Sequence, residues 1–158
     1  IKQITKMKLI VLLTIFSIST GVFTKAAYTQ ISCDEKKISR SEDVRRTAEN
    51  SLLNASSVNV TLPSGIDLTA FYSAGKLVKI STTDNLSHSE QIFFGDGHTY
   101  VFEISGYLEG KEYFKAWYFF EDKIFCKQDM LSGKYLEPAD DENNEILKTL
   151  DEYLLSVQ

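Results

Sequence analysis

The chain has 158 residues, with 17 basic and 22 acidic side chains and a formal net charge of −5. The first 26 residues hold four lysines and no acid, so the remaining 132 carry about −9, a balance that repels phosphate backbones and anionic lipid and argues against nucleic-acid binding or electrostatic membrane docking. A chain of that size has room for one hydrophobic core and not for two.

Lys6 and Lys8 precede the apolar run Leu9-Ile10-Val11-Leu12-Leu13-Thr14-Ile15-Phe16, and small residues follow as far as Ala26 and Ala27. A charged start, a short apolar stretch and a small-residue exit make a secretory signal peptide over 1–26, too short to span a bilayer. Met7 is an alternative start. The expected product is a single periplasmic or secreted domain, 27–158, with no membrane insertion once the leader is gone.

Export places Cys33 and Cys126 in an oxidising compartment, where they are expected to pair. Closing a loop of roughly 94 residues is worth about 4 to 5 kcal/mol in the chain-entropy picture, native strain subtracting from it. A lipid anchor on Cys33 is disfavoured because Gln30-Ile31-Ser32 separates it from the apolar run.

Ser41, followed by Glu42 and Asp43, reads as the N-cap and acidic first turn of a helix. Val44, Ala48, Leu52 and Ala55 then form a narrow apolar stripe. From Ser57 the period changes to two, and seven strands are expected, near 57–62, 66–72, 76–82, 89–94, 98–105, 112–120 and 123–128. The connections are mostly short and rich in Gly, Asn, Asp and Ser, so neighbours should be antiparallel hairpins in a meander. Two aromatics precede three of the turns, at Phe71-Tyr72, Phe93-Phe94 and Tyr118-Phe119, which reads as one hairpin solution reused. Asp140-Asp141-Glu142 then opens an amphipathic helix carrying Ile146, Leu147, Leu150, Tyr153, Leu154 and Val157, and N-capping explains the acids better than calcium does.

The predicted fold is therefore α+β: an antiparallel sheet of six or seven strands with both helices on one face, a two-layer sandwich. In strand 112–120 neither alternating set is polar, which means either a sheet curved enough to enclose a second small core or an exposed aromatic patch; the patch, on the face of Tyr113, Lys115, Trp117 and Phe119, would serve as a binding surface.

Chemical motifs are sparse. His88 and His98 are the only histidines, and neither sits in a catalytic or metal-binding pattern. Gly95-x-Gly97 lies between strands, so it lacks the helix N-terminus of a phosphate loop. Glu103 and Glu112, within or beside the aromatic strands, are the candidate acids for a carboxylate pair, but solvated strand positions account for them more simply. Asn54, Asn59 and Asn85 head glycosylation sequons, which matter only in a eukaryotic secretory pathway. No cofactor or metal is called for.

The run from Leu68 to Asp129, with its aromatic pairs and the turn exits Gly75-Lys76-Leu77 and Asp122-Lys123-Ile124, resembles small exported β-rich proteins of Gram-negative bacteria that have no assigned function. The order of elements is similar to cystatin-like and β-lactamase-inhibitor-like domains, an analogy of architecture that transfers no residue role. Two functions are carried forward. The first is a non-enzymatic binding module, protein-binding or inhibitory toward another exported protein, that uses the aromatic face. The alternative is an enzyme or small-ligand carrier with a pocket between sheet and helices.

Overall fold

A computed structural model describes residues 32–82 and 88–158; the leader and the sequon at Asn85 lie outside them. Helix α1 (Glu35–Ser51) leads through a short 3-10 turn into strands β1 (Ser56–Thr61), β2 (Asp67–Ser73), β3 (Lys76–Thr82), β4 (His88–Gly95), β5 (His98–Leu108), β6 (Lys111–Phe120), β7 (Lys123–Asp129) and β8 (Lys134–Leu136). Helix α2 (Asp140–Ser156) closes the chain. The strands form one open antiparallel sheet in sequence order, β1 to β8. The fold is α+β with a meander, as expected, but with eight strands; β8 is three residues long, too short for an alternating pattern to show.

Helix α1 begins six residues before Ser41. Asp34 is the N-cap, its carboxylate accepting the backbone N–H of Lys36 at 3.0 Å and Lys37 at 3.2 Å. Ser41 is buried inside the helix and donates its Oγ–H back to Lys37 O at 3.1 Å. Ile38 is the only large apolar residue of the first turns, and its contacts are tertiary, so no local period announced this segment.

Four two-residue turns close the hairpins, at Ala74-Gly75, Asp96-Gly97, Glu109-Gly110 and Glu121-Asp122, with positive φ at both residues of each. Such turns match the right-handed twist of the strands they join. Three of them follow the repeated aromatic pairs, and the sheet register shifts inside each pair, at Phe71/Tyr72, Phe93/Phe94 and Tyr118/Phe119. Val78, Tyr100 and Phe125 are the extra residues opposite. Each is a β-bulge that puts two consecutive side chains on one face, and all three extra residues pack in the α1 cluster. The recurring sequence pattern is thus a recurring bulged hairpin.

Along β5, β6 and β7 the sheet divides two cores between its faces. Val101, Ala116, Tyr118 and Cys126 pack with Ile38 and Ala48 of α1, whereas Phe102, Trp117 and Phe119 pack with Ile146, Leu150 and Tyr153 of α2. The helices therefore do not share a face, and the expected two-layer arrangement gives way to a sheet with a helix on each side. The physical reason lies in β6, which is apolar on both faces and needs cover on both. Cys33 and Cys126 form the expected disulfide, with Cα atoms 6.0 Å apart, tying the start of α1 to β7.

Candidate functional site

Three contacts hold α2 across the sheet. Near its start, buried Lys127 on β7 donates to both carboxylate oxygens of Glu142 at 2.6 Å and stands over the Trp117 ring. Further along, Tyr153 donates its phenol to Glu90 Oε2 on β4 at 2.6 Å, and at the end Tyr72 on β2 donates to Val157 O at 2.7 Å. The acids of the first helical turn thus act without a side-chain N-cap, since Ala139 occupies that position.

Beside the middle of α2, at the end of the sheet where the β2–β3, β4–β5 and β6–β7 turns gather, lies a cleft of about 730 Å³. Leu77, Phe94, Leu147, Leu150 and Leu154 form its apolar walls. Its rim carries Asp96, Asp122 and Asp151 against the single cation Lys76. Lys76 Nζ lies 3.7 Å from Asp96, and Asp122 receives the Thr99 backbone N–H at 3.3 Å and contacts His98 Nδ1 at 2.8 Å. Asp151 has no ion-pair partner among the described residues. The volume falls within the range of small-molecule sites, and charged groups share the lining with the apolar wall. A smaller cleft of about 370 Å³ lies against α1 and shares Lys76, Leu77, Phe94 and Asp96 with the first.

On the far side of α2 a hydrogen-bonded chain runs from Tyr153 through Glu90 to His88 and Tyr113. His88 Nε2 is 2.8 Å from Glu90 Oε1, and its Nδ1 is 2.7 Å from the Tyr113 hydroxyl. His88 and Tyr113 reach each other across Gly106, which pairs with both in the sheet and has no side chain to intervene. Sequence spacing alone could not join residues 25 apart on nonadjacent strands.

The aromatic strand divides differently from expectation. Trp117 and Phe119 are 2 % and 1 % exposed, beneath α2, and cannot form an outer surface. Tyr113 and Lys115 lie on the same side of the sheet and remain half-exposed. Alternation assigned the face correctly to one side; the cover over it depends on where α2 lies.

Under α1 the buried carboxylate of Glu103 faces Arg45 at 3.8 Å, with Glu42, Glu49 and Lys79 around it. Burial pushes its pKa up to about 7, partly offset by Arg45. Next to it, Tyr118 donates to Glu42 Oε1 at 2.9 Å, and burial raises the phenol above its usual range. Glu112 is exposed at the opposite end of the sheet, so the two acids make no catalytic pair. Among the described residues no group of three or more His, Cys, Asp or Glu side chains is placed to hold a metal ion, and no helix is long and apolar enough to cross a membrane.

The chain matches no family model, no curated protein and no solved structure.

Proposed function

We propose that the protein is an exported, non-enzymatic binding module that holds a small apolar ligand in the cleft between α2 and the turn end of the sheet. The observation carrying this reading is the cleft itself, a space of about 730 Å³ lined by half-buried Leu77, Leu147 and Leu154 and floored by buried Phe94 and Leu150. No serine, cysteine or histidine lines it, which favours binding over nucleophilic or imidazole chemistry. The disulfide supports an oxidising compartment, in keeping with the leader.

Titration with the neutral fluorophore N-phenyl-1-naphthylamine tests the site. Leu147→Trp and Leu154→Trp, each filling the cleft from α2, should weaken the probe about tenfold, while Thr47→Trp in the smaller cleft leaves it unchanged. Circular dichroism establishes that each variant is folded. Binding unchanged by both leucine substitutions would sink the proposal.

Recognition of another exported protein is a second reading, resting on half-exposed Tyr113 and Lys115 beside His88. It predicts that a Tyr113→Ala, Lys115→Ala variant stays folded and loses a partner recovered by pull-down; retention of every partner would discard it.

A further inference from the structure

The charge around the cleft narrows the ligand class, an inference that rests on the cleft being the binding site. We propose that it takes a cationic amphiphile, an apolar chain or ring bearing a protonated amine, with the apolar part between Leu77, Phe94 and Leu154 and the ammonium at the rim beside Asp122 and Asp151. Three carboxylates stand at that rim against one ammonium; Lys76 is 3.7 Å from Asp96, and one oxygen of Asp122 contacts His98 Nδ1 at 2.8 Å. Asp151 has no ion-pair partner among the described residues, and it projects from α2 next to Leu150 and Leu154 of the wall. An anionic amphiphile of the same shape would set its own charge against those exposed carboxylates, a repulsion felt most at low ionic strength. A fatty acid or phospholipid headgroup is thus the wrong sign, and an amine is the right one.

Two fluorescent probes with the same ring system and similar tethers separate the alternatives: dansylcadaverine, which ends in an ammonium, and dansyl-aminocaproate, which ends in a carboxylate. At low ionic strength the purified protein should bind the cation about tenfold more tightly than the anion, and salt at about 0.5 M should reduce the gap to about twofold. The Asp122→Asn, Asp151→Asn double variant should remove most of the preference, both substitutions being at exposed positions that keep an acceptor oxygen. Neutralising two acids elsewhere, Glu35→Gln with Glu112→Gln, should leave it intact. Equal affinity for the two probes overturns the charge inference while the cleft stands. So does a preference that survives in the rim variant, which would trace to the general acidity of the chain. Failure of both dansyl probes and of the neutral fluorophore overturns the cleft as well.

Discussion

Lys127 Nζ lies 2.6 Å from both carboxylate oxygens of Glu142, and the lysine is only 1 % exposed. The ammonium is held by the first turn of α2 and by the face of Trp117, so the pair pins the helix where the sheet is apolar. Removing only the carboxylate leaves a buried cation with one partner fewer. Glu142→Gln should cost about 2 to 3 kcal/mol, less than for a fully buried pair because Glu142 is partly exposed. Lys127→Met, which removes the charge and keeps the stem, should cost clearly less. Urea denaturation of the two variants checks the order; a costlier Lys127→Met would contradict it.

The pH dependence of stability should carry the signature of Glu103. Its pKa is raised in the folded protein to about 7 from 4.5, so between those values the folded state holds a proton that the unfolded chain has lost. Stability contributed by the protonated acid is therefore full below about pH 4.5, falls as pH rises through the window to about 7, and is flat above it. The loss across that window is about 3 to 4 kcal/mol at ~1.4 kcal/mol per unit. Glu103→Gln mimics the protonated form and should flatten this part of the profile while raising stability at pH 8. Denaturant titrations of wild type and variant at several pH values test it, and an unchanged slope would show that Glu103 is ionised in the folded state.

Gly95 lies on β4 beneath Val44 of α1. A methyl group there would sit 2.9 Å from Val44 Cγ1 and 3.2 Å from Tyr100 Cε2. Gly95→Ala should destabilise by about 1 to 3 kcal/mol through overpacking. Combining it with Val44→Ala should cost less than the sum of the two single changes, because the second removes the atom that is struck. Simple additivity in thermal or urea unfolding would show that the helix shifts freely.

Reducing the Cys33–Cys126 bridge, or replacing both residues by alanine, should lower stability by about 3 to 5 kcal/mol, since it closes most of the described chain into one loop. Cys126 is fully buried, so mild reductant acting on native protein should be slow and should quicken in denaturant. Thiol counting over time, with and without urea, measures this; equal rates would place the bridge in an open region.

Much of this protein was determined locally. The alternation from Ser57 onward, the turn residues and the apolar stripe of α2 each express short-range preferences, and they yielded the antiparallel meander and seven of its eight strands. The two cysteines sufficed for the bridge because no other pairing exists. Even the repeated aromatic pairs marked the bulged hairpins, although their meaning emerged only from the register. Tertiary structure decided the rest. Alternation separates the faces of a strand but does not say what covers each, so Trp117 and Phe119 looked like a surface until α2 was seen to lie over them while α1 took the other side. The same limit applies to the cleft and to the chain Tyr153–Glu90–His88–Tyr113: both join residues far apart in sequence, and only the path of α2 across the sheet brings them together.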